Sequence, residues 1–352
     1  MRILHVIEGM QESCGISRFV VEITRELKWF GEDVAIVTTR NWNVLADDIT
    51  IFETFVPETA SGKFNPQLVH LHGCWNRYIH RMACWCQAKN VPYVMSPHGA
   101  WTPWAWHYHR LKKRIAWLLF QKRDALRAMA FHATVESEYD DIHRLGLHQP
   151  VVIAPLGARI PNGAIEDISK REKIVLYLGR LHHKKNVHGL LEAWKSIPNT
   201  SGSGWRLLIA GKPGPGDDEY LEKLKNESSV NCSFVGEVTG LDKEKLYQSA
   251  RVFVLPSFSE NFGSVVLEAL ANGTPVITTS GTPWDNTVEA GCGWRTSADV
   301  KDLRKTMVRA IQTTDDELTR MSLAARQFVR ENYSWEKSAR TLVDAYQKVL
   351  EK

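Results

Sequence analysis

The chain has 352 residues, of which 43% are hydrophobic and 24% charged, and its formal net charge is +4. A chain of this length corresponds to about two globular domains. The small net charge gives no reason to expect nucleic-acid binding, and the absence of any run of about 18 uncharged apolar residues predicts no transmembrane helix.

The six cysteines are scattered and form no Cys-x-x-Cys motif. This argues against a zinc site and favours a reducing compartment. The first residues, MRILHVIEGM, are too soon interrupted to resemble a secretory signal and are typical of a buried strand. We therefore expect a cytoplasmic protein.

Apolar runs alternate with segments of helical periodicity along most of the chain. In the first half the pattern predicts one helix and five strands: a helix over 17–29 and strands over 3–7, 34–38, 68–71, 93–96 and 151–154. In the second half it predicts five strands, over 173–178, 206–210, 233–235, 252–255 and 275–278. It also predicts helices over 187–194, 220–225, 243–249, 264–271 and 336–349.

This alternation predicts an α/β protein with parallel sheets and crossover helices. The pattern stops at a segment containing Pro155, Gly157, Pro161 and Gly163 and then restarts. We therefore predict doubly wound domains over 1–155 and 173–335, joined by a linker over 156–172. The final helix, 336–352, is expected to pack back on the first domain. Ligands of such sheets bind beyond the carboxyl ends of the strands.

The most informative motif is a pair of glutamates eight residues apart. Glu260 lies in the loop after a predicted buried strand, and Glu268 lies two turns into the next predicted helix. The two are roughly 12 Å apart along a helix axis, which is about the reach from the sugar to the ribose of a nucleotide sugar. The helix N-terminus between them favours a diphosphate. Alternatively, they are an acid at a helix start and a solvated helix residue.

The motif ENFGSVVLE, followed by ALANGTPVI, resembles the family-four retaining glycosyltransferases of the GT-B fold, in which two Rossmann-like domains face each other across a donor-binding cleft. The resemblance covers nearly the whole chain and is most specific in the C-terminal half. It implies that Glu260 contacts the donor sugar and that Glu268 binds the ribose hydroxyls. The donor-binding residues between them are Asn261, Phe262, Gly263 and Ser264.

A second motif, GRLHHKKN, follows the first strand of the second domain. Arg180 and Lys185 offer a fork of donors and a point charge to a pyrophosphate. Such cations stabilise the charge that grows on a departing phosphate. In the resembling family they form the diphosphate clamp, and Lys185 is favoured over Lys184 by its position before Asn186. A solvated basic turn is the alternative.

The clamp agrees with the absence of an Asp-x-Asp metal motif from the sequence. A helix dipole and two cations can replace a metal ion for leaving-group stabilisation. We therefore expect catalysis without a metal or another cofactor, with the nucleotide diphosphate sugar as a substrate.

His98 lies in the loop SPHGAW that follows a predicted strand. A lone histidine is usually structural, but the resemblance implies that His98 contacts the donor sugar. It need not act as a general base, because the donor phosphate can accept the proton in this type of retaining transfer. The sequence shows no protein nucleophile, in contrast to double-displacement hydrolases, which use two close carboxylates.

Three further loops follow predicted strands. In the first, the family usually has a glycine pair near the diphosphate, but this chain has Cys14 before Gly15. The resemblance suggests that the other two, at Gly236-Glu237 and at 211–214, flank the nucleotide base. An ordinary turn is the alternative for either.

Residues 101–127 combine six aromatic residues with seven cations and one acid, Asp124. A basic amphipathic segment with tryptophan is typical of binding to an anionic membrane surface. The alternative is a helix pair that covers the sheet and shapes the acceptor pocket.

Together these motifs predict a hexosyl-type glycosyltransferase acting on a saccharide acceptor, free or lipid-linked, in polysaccharide, lipopolysaccharide or glycolipid biosynthesis. The expected location is cytoplasmic, with peripheral contact at the inner face of the plasma membrane. A nucleotide-sugar epimerase of similar fold is the alternative function. A sugar-binding module without catalysis is disfavoured because the four candidate residues Arg180, Lys185, Glu260 and Glu268 are all present.

Overall fold

The computed structural model describes residues 1–11, 14–42, 46–163, 167–198, 204–214, 217–229 and 231–351. Contacts divide the chain into two compact units, which are described separately. Unit 1 comprises Met1–Gly157 and Ser334–Lys352, and unit 2 comprises Ala158–Tyr333.

Fifteen strands lie in the described ranges. They are β1 (Arg2–Ile7), β2 (Met10–Gln11), β3 (Asp33–Thr38), β4 (Asn41–Trp42), β5 (Thr50–Glu53), β6 (Leu68–His72), β7 (Tyr93–Ser96), β8 (Ala130–Ala133), β9 (Val151–Ile153), β10 (Glu172–Leu178), β11 (Arg206–Ala210), β12 (Cys232–Gly236), β13 (Ala250–Leu255), β14 (Val276–Thr279) and β15 (Gly293–Thr296).

Fifteen α-helices lie in the same ranges. They are α1 (Gly15–Trp29), α2 (Pro57–Phe64), α3 (Arg77–Lys89), α4 (Pro103–His107), α5 (Arg110–Ala116), α6 (Lys122–Leu126), α7 (Glu136–Arg144), α8 (Val187–Lys195), α9 (Asp218–Glu227), α10 (Gly240–Ser249), α11 (Ser264–Ala271), α12 (Asn286–Glu289), α13 (Val300–Gln312), α14 (Asp315–Asn332) and α15 (Trp335–Leu350). A π-helical turn, Trp117–Gln121, joins α5 to α6, and 3-10 turns occupy Ile168–Lys170 and His183–Lys185.

Unit 1 contains a seven-stranded sheet in the order β5-β3-β1-β6-β7-β8-β9. Every pair is parallel, and in β1 Ile3 lies between Val34 and Leu68. Parallel strands buried on both faces appear as near-continuous apolar runs, which is why β1, β3 and β6 were visible in the sequence. A short parallel pair, β2 with β4, stands beside this sheet.

Unit 2 contains a six-stranded parallel sheet in the order β12-β11-β10-β13-β14-β15. The predicted α/β fold class with two doubly wound sheets is therefore confirmed. Strand β10 lies at the position where the strand order reverses, between β11 and β13. In such sheets ligands bind outside the carboxyl end of the strands at this switch point.

The last helix, α15, belongs to unit 1. Trp335 packs on Phe19 of α1 with ring centroids 5.9 Å apart. The Ser338 hydroxyl donates to the Pro155 carbonyl at 2.6 Å. The sequence placed the boundaries at 155/156 and 335/336, and the chain passes between the units at Gly157/Ala158 and Tyr333/Ser334.

The units meet at Gly157/Ala158, so residues 158–163 and 167–172 of the predicted linker 156–172 are grouped with unit 2. Arg171 is only 4% exposed and donates to the carbonyls of Ala250 at 3.2 Å and Asn272 at 3.3 Å. Arg326 of α14 donates to the Gly163 carbonyl at 2.8 Å. Of the proline and glycine residues that suggested a linker, Pro155 and Gly157 belong to unit 1, and Pro161 and Gly163 belong to unit 2.

Candidate active site

The loops after β10, β11 and β12 are joined to one another by backbone hydrogen bonds. Gly179 N donates to Ala210 O at 3.0 Å, and Gly211 N donates to Gly236 O at 2.6 Å. Gly211 has φ +142°, and a Cβ atom there would lie 1.9 Å from Gly179 O. Only glycine fits this close approach, so the basic loop that begins at Gly179 has a defined position at the end of the sheet.

Lys185 and Glu260 form an ion pair in this region. Lys185 Nζ lies 2.5 Å from Glu260 Oε1, and the Ser257 hydroxyl donates to the same oxygen at 2.6 Å. The side chains of Lys185 and Glu260 are 17% and 9% exposed. Glu260 N donates to Gly281 O at 2.7 Å, which fixes the backbone of the loop. The structure therefore brings together one residue from each of the two predicted motifs.

Arg180 lies five residues before Lys185 on the same loop, and its side chain is exposed. The Tyr177 hydroxyl donates to the Arg180 carbonyl at 3.0 Å, which holds its backbone. Lys184, the other candidate cation, is half-buried, and its burial lowers the pKa of its ammonium group. A cation that is partly withdrawn from water interacts more strongly with a phosphate than a solvated one does.

Helix α11 begins directly after the Glu260 loop. Its cap residue is Gly263, with φ +77° and no side chain to bind the first amides. Trp284 Nε1 donates to the Phe262 carbonyl at 2.6 Å. The Phe262 ring is 6% exposed and packs on Trp284. Phe262 thus supports the loop from inside. Asn261, Gly263 and Ser264 are half-buried.

Glu268 lies in α11 against helix α10. Its Oε2 atom accepts a hydrogen bond from the Tyr247 hydroxyl at 2.9 Å and lies 2.6 Å from Lys243 Nζ. The Glu268 side chain is 11% exposed. This carboxylate is therefore charge-compensated and oriented, in contrast to the alternative of a solvated helix residue.

The remaining predicted donor-binding residues lie in two places. Gly236 ends β12, and Glu237 pairs with Lys212 at 2.5 Å across two exposed side chains. Gly15 begins α1 in unit 1, after Cys14 at the cap position. The roles of these residues stay predictions.

His98 lies in unit 1, in the loop after β7. It has φ +50°, and Gly99 has φ +75°. The buried carboxylate of Glu138 accepts from Gly99 N at 2.6 Å and from Thr134 N at 2.7 Å. The loop is thus held in a left-handed turn by an acid on α7.

His98 belongs to a cluster of five buried or half-buried histidines, which also includes His5, His70, His72 and His132. Burial, followed by repulsion from His132, lowers the pKa of His5 and of His98 to about 3. Burial lowers the pKa of His132 to about 4, and it is also the main cause that lowers the pKa of His70 and of His72. All five rings are neutral at pH 7.

Among the residues that the structure describes, two groups of side chains have ligand atoms close enough to hold a metal ion, and both lie in unit 1: His5, His70 and His72, and His80, Cys84 and Asp124. In the first group, both ring nitrogens of His70 are already bonded, to Tyr346 and to Ser96. In the second, the His80 ring lies 2.7 Å from Asp124 Oδ2.

The segment 101–127 divides into a buried and an exposed face. Trp101 and Gln121 are buried in unit 1. Leu111, Leu118 and Leu119 are 75%, 78% and 74% exposed. Within the described ranges, no helix combines the length and apolar character needed to cross a bilayer.

The sequence analysis missed several residues that shape these sites. Lys243, Tyr247 and Ser257 belong to no motif, and Glu138 is one of four acidic residues on a polar helix. The histidine cluster could have been predicted, because His5, His70 and His72 interrupt otherwise apolar strands.

The two halves of the chain each match a family model. Residues 161–328 match glycosyl transferases group 1, and residues 48–157 match the glycosyl transferase 4-like domain.

The chain is a glycosyltransferase, because both models describe glycosyltransferase domains and together they match most of its length.

The resemblance to glycosyltransferases that the sequence predicted is confirmed. Among curated relatives, the O-antigen chain mannosyltransferase B of Escherichia coli is 31% identical over 49% of this chain and 45% of its own length. The glycogen synthase of Mycobacterium tuberculosis is 27% identical over 80% of this chain and 69% of its own length. The chain thus spans about half the length of the mannosyltransferase.

Solved structures show the same fold. Anabaena Alr3699/HepE in complex with UDP-glucose superposes with a TM-score of 0.82 at 16% identity, over 99% of this chain and 100% of that one. WaaG, described as a glycosyltransferase involved in lipopolysaccharide biosynthesis, superposes with a TM-score of 0.72 at 15% identity, over 97% and 99%. The predicted GT-B fold is confirmed.

Proposed function

We propose that this glycosyltransferase transfers a sugar from a nucleotide diphosphate donor to a saccharide acceptor, with retention of anomeric configuration and without a metal ion. The observation that carries the proposal is the Lys185–Glu260 ion pair at the end of the sheet of unit 2, on the loop that also carries the exposed Arg180. This arrangement combines a carboxylate for a sugar hydroxyl with cations for a diphosphate.

The cations account for departure of the leaving group. As the bond between the sugar and the diphosphate breaks, negative charge grows on the departing oxygen. Arg180 and Lys185 stabilise this charge, and the N-terminus of α11 adds the partial positive charge of its free amides. These three elements supply the stabilisation that a bound metal would otherwise give.

Glu260 orients the donor sugar and Glu268 binds the ribose. Lys185 and Ser257 share one oxygen of Glu260, so its other oxygen can accept from a sugar hydroxyl. Tyr247 and Lys243 hold the Glu268 carboxylate in place. An ionised carboxylate can accept from both hydroxyls of a ribose.

Retention follows from using one face of the sugar for both the attacking hydroxyl and the leaving group. The departing phosphate oxygen takes the proton of the acceptor hydroxyl, so neither a protein nucleophile nor a protein base is needed. The low pKa of His98, about 3 because of burial, makes its ring a poor proton acceptor at neutral pH. We assign His98 a hydrogen bond to the donor sugar.

We place the reaction in the synthesis of a polysaccharide, lipopolysaccharide or glycolipid in the cytoplasm. Two relatives support this assignment: the O-antigen chain mannosyltransferase and WaaG. All six cysteines are free, as expected in a reducing compartment.

We further propose that α5 and the following π-helical turn contact an anionic membrane surface that carries a lipid-linked acceptor. Leu111, Ile115, Leu118 and Leu119 are more than half exposed. The sequence around them contains Arg110, Lys112, Lys113, Arg114, Lys122 and Arg123. Exposed apolar side chains among cations are typical of a helix that lies in the membrane interface.

The test is a panel of nucleotide diphosphate sugars, each incubated with and without saccharide acceptors. Release of nucleoside diphosphate that requires an acceptor supports transfer. Conversion of the donor sugar without an acceptor would instead support an epimerase, and binding without turnover would support a sugar-binding module.

A further inference from the structure

We propose that His5 and His72 are positioning residues that hold His98 in its Nδ1–H tautomer, so that His98 presents a hydrogen-bond donor to its ligand. The identity of this ligand, a hydroxyl or phosphate oxygen of the donor sugar nucleotide, rests on the proposed function. The tautomer assignment does not depend on the proposed function.

One line of hydrogen bonds in the cluster has a fixed direction. His132 Nε2 lies 2.8 Å from the Ala154 carbonyl, which can only accept, so the proton is on Nε2. The bare Nδ1 of His132 then accepts from the Ser96 hydroxyl at 2.7 Å. Ser96 has no second proton, so it accepts from His70 Nε2 at 2.6 Å. The bare Nδ1 of His70 accepts from the Tyr346 hydroxyl at 2.6 Å. His70 and His132 are therefore both Nε2–H tautomers.

A second line leads to the candidate active site. His5 Nδ1 lies 2.7 Å from His72 Nε2, and His72 Nδ1 lies 3.0 Å from His98 Nε2. Because each neutral ring has one proton, the whole line runs in one direction or the other. Either His5 donates to His72 and His72 to His98, or all donors and acceptors are reversed.

The buried end of this line decides the direction. His5 Nε2 is buried without a hydrogen-bond partner. The reversed direction would place an N–H there, and orphaned buried N–H groups are rarer in proteins than under-satisfied acceptors. The forward direction leaves only a lone pair at this atom. His5 then donates to His72, His72 donates to His98 Nε2, and the remaining proton of His98 is on Nδ1.

This assignment also accounts for the cluster better than a metal ion does. His5, His70 and His72 have ligand atoms within 4.8 Å of one another. A metal ion would have to replace one of the two hydrogen bonds of His72 and one of the two hydrogen bonds of His70. The hydrogen bonds of the described side chains already use every ring nitrogen of the three except His5 Nε2.

The test is a two-bond ¹H–¹⁵N correlation spectrum of full-length protein labelled with ¹⁵N-histidine, recorded without ligand at neutral pH. A His98→Asn variant assigns the His98 signals. We expect His98 as the Nδ1–H tautomer, with His70 and His132 as Nε2–H references in the same spectrum. His98 observed as Nε2–H, or stoichiometric metal in the purified protein, would overturn the proposal.

Two variants test the positioning role. His72→Phe removes the donor to His98 Nε2, and His72→Gln keeps an amide donor there. We expect the Nδ1–H tautomer of His98 to be lost in His72→Phe and kept in His72→Gln. Once a donor is identified, we expect His72→Phe to raise its KM about tenfold with little change in kcat. An unchanged His98 tautomer in a folded His72→Phe would contradict the role of His72.

Discussion

Lys185 and Glu260 are 75 positions apart in the sequence, and their charged atoms lie 2.5 Å apart in unit 2. The Ser257 hydroxyl donates to the same carboxylate oxygen. Each charge is thus compensated before a ligand arrives. A donor that brings a diphosphate to Lys185 and a sugar hydroxyl to Glu260 finds both groups in place, so little reorganisation is needed at the moment of reaction.

Glu260→Gln should lower kcat by about a hundredfold. The neutral amide no longer compensates the charge of Lys185, and it can no longer form a charge-assisted hydrogen bond with a sugar hydroxyl. The measurement is steady-state turnover of the donor found in the panel. Glu222→Gln is the matched control, since Glu222 forms an exposed ion pair with Lys225 on α9. Equal kcat in Glu260→Gln and wild type would remove Glu260 from the reaction.

Glu268→Ala should weaken binding of the nucleoside diphosphate by about 10- to 100-fold, because two charge-assisted hydrogen bonds to the ribose are lost. Calorimetric titration of the protein with the diphosphate measures this change. Glu244→Ala, on the exposed side of α10, should bind as wild type does. If Glu268→Ala also binds normally, the ribose is held elsewhere.

Arg180→Ala should mainly slow the chemical step, by about 10²- to 10³-fold in kcat. The reason is that the charge Arg180 stabilises develops fully only as the diphosphate leaves. Arg180→Ala should change the Kd of the nucleoside diphosphate by a smaller factor than it changes kcat. The opposite pattern, weak binding with normal turnover, would exchange the roles of Arg180 and Glu268.

Binding to anionic vesicles should decrease with salt and with loss of the exposed leucines. The double change Leu118→Ser and Leu119→Ser removes apolar surface, and added salt screens the surrounding cations. Co-sedimentation at low and high salt measures both effects. Leu323→Ser, at an exposed leucine of α14 in unit 2, is the control. No binding of the wild type to anionic vesicles at low salt would end the membrane proposal.

Acidification should unfold unit 1 before unit 2. The five clustered histidines have pKa values lowered by burial, to about 3 for His5 and His98 and about 4 for His132. The unfolded chain binds protons at these sites below pH 6.5, and the folded unit does not. The contribution of these histidines to the free energy of unfolding is therefore complete above pH 6.5. It is lost as the pH falls towards 4 and then 3.

Amide hydrogen exchange, measured as protection factors at several pH values between 7 and 4, reports on both units in one sample. Unit 2 is the internal reference because its histidines, His182, His183 and His188, are at least partly exposed. Earlier loss of protection in β10 and β13 than in β1 and β6 would contradict this prediction.

Much of the fold could be predicted because buried parallel strands leave apolar runs. The strands β1, β10 and β13 were all visible in this way. The edge strand β5 is only half-buried, and β8 contains a histidine in four residues, so neither stands out from its surroundings. Helices α13 and α14 were not predicted, although the buried residues Leu303, Met307 and Ala310 of α13 recur at helical spacing.

The sequence predicted which residues follow the strands at the candidate site, but not how close they lie to one another. Motif spacing placed Lys185 and Glu260 after strands of the same sheet, but the distance between them depends on the order of the strands. Lys243 and Tyr247 could not be found, because a helix residue that supports a carboxylate from the next helix has no sequence pattern of its own. The His5–His72–His98 line depends on strand register, which pairs His5 with His70 across β1 and β6.

The most direct test of the proposed reaction is an NMR analysis of the product formed by wild-type protein after exhaustive chelation of divalent cations. We predict continued transfer, with the new glycosidic bond in the anomeric configuration that the sugar had in the nucleotide donor. An inverted linkage, or complete loss of transfer that added metal restores, would contradict the account.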